Sequence, residues 1–200
     1  RTLPQCPGGI GLGTAMIMLK TGWVIVGSTP STDGTTKTIG KGCLLVVSPQ
    51  GHLVGTLTGA DIAAPWGNMA VIDHGATASL FVSNAGFDVG PPVNDAPVVN
   101  RANVLRIDLS IPAGQPPVVS SQTVIGSGFG EQPDPGVFLI GPTGLALGHD
   151  DTLYVTDTVS NRITAISDAS TRTTSAGVGR VITQDGLLQH PLAMVMAPNG

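Results

Sequence analysis

The sequence predicts an all-β protein, a β-propeller built from four-stranded antiparallel blades. Short apolar runs of strand length alternate with turn residues, and one such pattern recurs along the chain. The 200 residues include 28 glycines and 16 prolines, which favour frequent turns and disfavour long helices. These observations together indicate repeated units of short antiparallel strands.

The clearest unit covers residues 142–166. An apolar run at 145–147 is followed by a turn, a β-rich run at 153–157 (LYVTD), a second turn, and an alternating run at 162–166. These runs indicate strands of ordinary length, about 4–6 residues each. The pattern therefore predicts three consecutive strands joined by tight turns.

Similar runs recur at corresponding places in the rest of the chain. The first run resembles residues 11–18, 69–71 and 191–196; the second resembles 23–26 and 80–84; the third resembles 43–47 and 103–107. Candidate fourth strands lie at 52–57, 118–125 and 171–176. The predicted blades are therefore 11–57, 65–125 and 142–176, with 191–200 starting the next.

A repeat of about 45–50 residues with four strands has the spacing of propeller blades. Propellers usually close with about four to eight blades, so the chain is predicted to be part of a longer, six-bladed propeller. The start at Arg1, without Met or a visible signal peptide, is also expected of a trimmed chain or a fragment. A solenoid or an open β-array is the structural alternative.

Composition narrows the possible partners and location. Charged residues make up 11% of the chain and the net charge is −4, with no cluster of Lys and Arg, so nucleic acid is not an expected partner. No segment has the roughly 20 apolar residues of a membrane span. Low charge with abundant Thr, Ser and Gly favours an exported protein. Cys6 and Cys43 allow either one disulfide or two free thiols.

The clearest unit resembles the NHL repeat, in the residues 142–146 (PTGLA), 153–157 (LYVTD) and 161–163 (NRI). The likeness is good over 141–166, partial over 65–109 and thin over 11–57. Through residues 64–69, 141–146 and 171–177, the chain also resembles a group of uncharacterised bacterial exported proteins with NHL-like propellers. This resemblance implies a six-bladed propeller in the periplasm or outside the cell, and it implies no particular activity.

Related propellers that resemble gluconolactonases hold a divalent cation at the mouth of the central channel. Some of their ligands precede the glycine of the Pro-x-Gly turn, a position that Thr143, Leu192 and either Trp66 or Gly67 occupy here. None of these is a carboxylate or an amide, which are the oxygen donors such a cation requires. No metal or cofactor is therefore predicted, and a metal-dependent hydrolase or lyase remains the alternative function.

Four residues are predicted to bind a ligand at the channel mouth. Trp66, Thr143 and the nearby amide Asn68 lie at blade entries, and His190 immediately precedes Pro191. For Trp66 the competing interpretation is packing between blades. The four histidines of the chain lack the spacing of a zinc site.

A second group is predicted to be structural. Asp157 ends one strand and Arg162 starts the next after Asn161, so the charged pair is expected to fix a tight hairpin. The other units are expected to carry Asn84 and Gly27 at the Asp position and Val104 and Cys43 at the Arg position.

The functional prediction is a non-catalytic binding or scaffold module whose ligand is an unknown protein or small molecule. The repeat is strong and no catalytic constellation is visible, while propellers present rigid faces with variable loops. The proline-rich insertion at 87–102 is a candidate contact element.

Overall fold

The computed structural model describes residues 6–9 and 11–198. The described chain is all-β, with thirteen strands in three antiparallel sheets. In every sheet the strands are neighbours in the order in which they follow along the chain. The prediction of an all-β chain made of small antiparallel sheets is therefore confirmed.

The three sheets contain four, five and four strands, so the prediction of four strands in each is wrong for the second sheet, which has a fifth. The first sheet consists of β1 (Leu12–Met18), β2 (Val24–Thr29), β3 (Cys43–Val47) and β4 (Leu53–Leu57), with a short 3-10 turn at Thr36–Thr38. The second consists of β5 (Ala64–Asp73), β6 (Thr77–Ala85), β7 (Val99–Ser110), β8 (Val118–Asp134) and β9 (Phe138–Ile140). The third consists of β10 (Pro142–Leu147), β11 (Leu153–Asp157), β12 (Arg162–Ile166) and β13 (Arg180–Gln184).

The fourth strand of each sheet tests the sequence prediction most closely. β4 and the first half of β8 lie where the sequence predicted them, whereas the strand predicted at 171–176 is wrong and β13 takes its place. Residues 171–177 are instead an irregular segment that bonds to β8, since Ala176 N donates to Ile125 O at 2.9 Å and Ser127 N donates to Gly177 O at 2.8 Å. The backbone groups of this segment therefore bond to the neighbouring sheet.

The three sheets share one register. In each, the first strand has an irregularity shortly after its start, and pairing then resumes at the equivalent partners Met16–Val26, Met69–Val82 and Leu145–Val155. Counting on from these pairs makes Ser28, Asn84 and Asp157 equivalent, and likewise their cross-strand partners Cys43, Asn103 and Arg162. The predicted equivalents Gly27 and Val104 are therefore wrong by one residue. Such a slip places these residues on the opposite face of the sheet, since neighbouring residues of a strand point to opposite faces.

The core lies in two layers, one on each face of the second sheet. Leu80, Leu105 and Ile107 pack toward the first sheet, where they meet Ile25 and Leu44. The alternate residues Phe81, Val104 and Phe129 belong to the other layer, with Leu145 and Val155 of the third sheet. Successive residues of a strand point to opposite faces, so the second sheet is covered on both sides and successive residues are buried in the middle of β6 and β7.

The two cysteines form a disulfide, which decides between the alternatives that the sequence left open. Cys6 and Cys43 are both buried, and their Cα atoms are 5.4 Å apart, within the ordinary range for such a bond. The bond attaches residues 6–9 to the start of β3.

Within residues 6–9 and 11–198, no helix is long and apolar enough to cross a lipid bilayer.

Candidate binding site

The first strands of the three sheets lie side by side, in the order β1, β5, β10. Thr14 of β1 donates its hydroxyl to Pro65 O of β5. Gly67 then lies against β10: its φ is +92°, and a Cβ atom there would be 2.0 Å from Thr143 O. Glycine is therefore required at this close approach of the two backbones.

A hydroxyl of each second strand also contacts the first strand of the following sheet. Thr29 Oγ1 of β2 donates to Pro65 O at 3.1 Å, and Ser83 Oγ of β6 lies 3.3 Å from Thr143 O. The two hydroxyls lie two residues apart in the shared register, Thr29 one residue after the equivalent pair Ser28 and Asn84 and Ser83 one residue before it.

The segment after β13 continues this series. Thr158 Oγ1 donates to Pro191 O, and Thr156 Oγ1 donates to Leu192 O, each at 2.8 Å. By the shared register Thr158 is equivalent to Thr29, and Thr156 to Ser83. Residues 191–192 therefore lie against the third sheet as β5 lies against the first and β10 against the second.

Two adjoining cavities open where these first strands meet, and together we call them the hairpin groove. Their volumes are about 430 Å³ and about 290 Å³, and Thr14, Trp66 and Val137 line both. The larger cavity is also lined by Leu12, Gly13, Gly34, Thr35, Pro92, Asp134, Pro135, Gly136 and Phe138, and the smaller by Gly67, Leu139, Ile140, Thr143 and Leu192. Both cavities thus lie beside β1, β5 and the hairpin formed by β8 and β9, and the smaller one also reaches β10.

The tip of that hairpin brings a second aromatic ring to Trp66. The ring centroids of Trp66 and Phe138 are 5.7 Å apart and their planes are inclined by 31°. Phe138 has a φ of +72°, which is uncommon for a bulky residue and costs on the order of 1–3 kcal/mol. Asp134 Oδ1 fixes the turn by accepting hydrogen bonds from Gly136 N at 2.7 Å and Val137 N at 2.9 Å.

The polar groups of the groove are of two kinds. The threonine hydroxyls have internal partners: Thr14 donates to Pro65 O, Thr35 to Asp33 Oδ1 and Thr143 to Gly141 O. Asp134 is the one charged side chain among the described lining residues, and no described residue donates a hydrogen bond to its Oδ2.

Of the residues predicted at the channel mouth, Trp66 and Thr143 line the groove together. Asn68 lies beside them, but both polar atoms of its side chain bond to the backbone of Leu145 in β10. His190 lies apart, in an open cavity of about 220 Å³ near Asn161, and its main-chain N donates to Asn161 Oδ1 at 2.7 Å.

Asp157 and Arg162 form an ion pair across the turn between β11 and β12. Nε and Nη2 of Arg162 both lie 2.7 Å from Asp157 Oδ2, and the Asp157 carboxylate is fully buried. Asn161 occupies the turn with a φ of 49°. The equivalent pair in the second sheet is Asn84 with Asn103, whose side chains lie 3.3 Å apart.

Glu131 has a buried carboxyl group with a raised pKa, and the sequence prediction did not identify it. It is buried in β8, where Oε2 accepts hydrogen bonds from Gly86 N and Phe87 N and Oε1 has no partner among the described residues. Burial raises the pKa of this carboxyl to about 7, although the two backbone hydrogen bonds act to lower it. The feature of the sequence that could have drawn attention to this residue is that Glu131 is its single glutamate.

Within the described ranges, no three His, Cys, Asp or Glu side chains come together as ligands for a metal ion. The chain matches no protein-family model and no curated protein.

Proposed function

We propose that the three sheets are consecutive blades of a β-propeller. The shared register, the side-by-side first strands and the repeated hydroxyl contacts support this arrangement, and residues 191–192 make the same contacts as a following blade would. Exposed apolar side chains of β1, Met16 and Met18, then lie on a face that another blade covers.

An experimental structure of the protein isolated from its source tests this proposal. In a propeller the first strands converge on a common axis, whereas in a solenoid or an open array they form a continuing row. A continuing row would contradict the proposal.

We further propose that the protein is a non-catalytic binding module whose ligand occupies the hairpin groove. The observation that carries this proposal is the aromatic pair at the meeting point of the three first strands, with Phe138 held at an unfavourable φ. Backbone strain of this kind persists where the surrounding structure enforces it, and it clusters at ligand sites. The alternative, a metal-dependent hydrolase or lyase, lacks a ligand cluster on the described residues.

Arrays of peptides, glycans and small metabolites test the binding function. Val137→Asp places a charge in the groove, and Val118→Asp is the matched control, because both valines are exposed and lie on the second sheet or its hairpin. We expect ligands that bind the wild-type protein to be lost with Val137→Asp and retained with Val118→Asp. Ligands that bind both variants equally would place the site elsewhere, and an array without any ligand would contradict the function.

We also propose that the protein is exported, because disulfides such as Cys6–Cys43 persist mainly in oxidising compartments. The redox state of these cysteines in the natural protein is the test, and two reduced thiols would contradict export.

A further inference from the structure

We propose that the hairpin groove binds a neutral carbohydrate, with a sugar ring against Trp66 and a sugar hydroxyl donating to Asp134. This inference rests on the binding function proposed above and assigns that site a ligand class.

The first argument is the shape of the apolar surface. Trp66 is one of three residues that line both cavities, so it offers apolar surface to a ligand in either one. The C–H faces of a pyranose are flat and apolar and match the face of an aromatic ring, while the hydroxyls around its rim remain polar. The volumes of about 430 Å³ and 290 Å³ give each cavity room for a small ligand, so an oligosaccharide of a few units fits the pair.

The second argument is charge. Neither cavity is lined by Lys, Arg or His, and Asp134 supplies the only charge of the described lining. Phosphate and carboxylate ligands are ordinarily held by cationic side chains, and a carboxylate repels them. Nucleotides, sugar phosphates and acidic sugars therefore do not match this surface.

The third argument is hydrogen bonding, and it favours a sugar over a peptide. The hydroxyls of Thr14, Thr35 and Thr143 already donate to partners inside the protein, whereas Asp134 Oδ2 accepts nothing from the described residues. A peptide brings a donor and an acceptor with each residue at fixed positions along its backbone, and a buried carbonyl left without a partner is costly, whereas a sugar hydroxyl rotates and can act as either donor or acceptor. A sugar brings a donor with each hydroxyl, and a hydrogen bond to a carboxylate is among the stronger ones.

The experiment is titration calorimetry of the protein with neutral oligosaccharides, namely cello-, malto-, manno- and xylo-oligosaccharides, after a glycan array has ranked them. Asp134→Asn keeps an oxygen for the backbone donors of the turn and replaces the free acceptor, so we expect affinity to fall about tenfold. Asp150→Asn is the matched control, because Asp150 is an exposed aspartate that likewise accepts from a backbone N–H two residues later. We expect it to leave affinity unchanged.

Trp66→Ala is expected to lower affinity by tenfold or more. Because Trp66 also packs against Phe138, the thermal melting of each variant is measured beside its binding, and Val137→Asp gives a second groove variant that does not remove a packed ring. Sugar affinity that is the same in all three groove variants would overturn the inference.

The remaining outcomes separate this inference from the binding function. If a peptide or a charged metabolite binds in the groove and no neutral glycan does, the carbohydrate inference is wrong and the binding function stands. If no ligand of any class binds, both fail.

Discussion

The side-chain amide of Asn68 pairs with both backbone groups of Leu145. Asn68 Nδ2 donates to Leu145 O at 2.7 Å, and Leu145 N donates to Asn68 Oδ1 at 2.6 Å. This is the pattern that a neighbouring strand would make, supplied by a side chain at the irregular start of β5. Asn68 therefore joins the second sheet to the third, in the same region where Trp66 and Thr143 line the hairpin groove.

Replacing Asn68 by alanine is expected to lower the free energy of unfolding by about 3 kcal/mol, because it leaves two backbone groups of the buried Leu145 without partners. Urea denaturation measures the change. Asn100→Ala is the control, since Asn100 is exposed in β7 and its loss should cost less than about 0.5 kcal/mol. Equal effects of the two substitutions would show that the Asn68–Leu145 pair contributes nothing.

Arg162→Ala should destabilise the protein by about 3–5 kcal/mol, because it leaves the buried carboxylate of Asp157 without its counter-charge. Arg101→Ala removes the partner of an exposed ion pair with Asp88 and should cost at most about 1 kcal/mol. Thermal melting compares the two. The double variant Asp157→Asn with Arg162→Leu should recover part of the loss, and if it melts below Arg162→Ala, this explanation is wrong.

Reduction of the Cys6–Cys43 disulfide should lower the free energy of unfolding by about 4 kcal/mol, from the loop entropy for the sequence separation of 37 residues. Melting curves with and without dithiothreitol measure the effect. The variant in which both cysteines are serine serves as the control and should not respond to the reductant. A response of that variant equal to the wild type's would assign the effect to something other than the disulfide.

The Glu131 carboxyl should titrate near pH 7 rather than near its ordinary pKa of 4.5. Because Glu131 is the single glutamate, selective ¹³C labelling of glutamate gives one side-chain carboxyl resonance whose pH dependence reports this pKa directly. Asp88 and Arg101 are the charged groups near it, the former raising and the latter lowering its pKa. A midpoint below pH 5 would contradict the burial argument.

The same raised pKa has a consequence for stability. The folded protein holds the Glu131 proton more tightly than the unfolded chain does. The contribution of this proton to the free energy of unfolding is therefore fully present below pH 4.5 and is lost as pH rises through about 7. The corresponding free energy is about 3 kcal/mol at 1.36 kcal/mol for each tenfold change in proton affinity. Glu131→Gln should lack this component, so the difference in unfolding free energy between variant and wild type should change between pH 5 and pH 8. A difference that is constant with pH would contradict it.

The sequence by itself determined the local order of the chain. The alternation of apolar and turn residues was sufficient to locate the strands of the first sheet and the first three strands of the third. A strand with one buried face places apolar residues at regular positions, and this pattern is visible in the sequence. The fourth strand of the third sheet was misplaced because its residues are all exposed and carry no such pattern. The irregular segment 171–177 bonds to β8, and a hydrogen bond to a distant strand leaves no local pattern in the sequence.

The candidate site was predicted only in part, for the same reason. Trp66 and Thr143 were identified from their places in the repeat, but the groove also needs Phe138 and Asp134 from a hairpin that no repeat pattern indicates. The register across strands made Asn103 rather than Val104 the equivalent of Arg162. The sequence thus specified which residues favour strands, whereas the tertiary structure alone decided which side chains meet, because those contacts join residues far apart in the chain whose positions are set by the stacking of whole sheets.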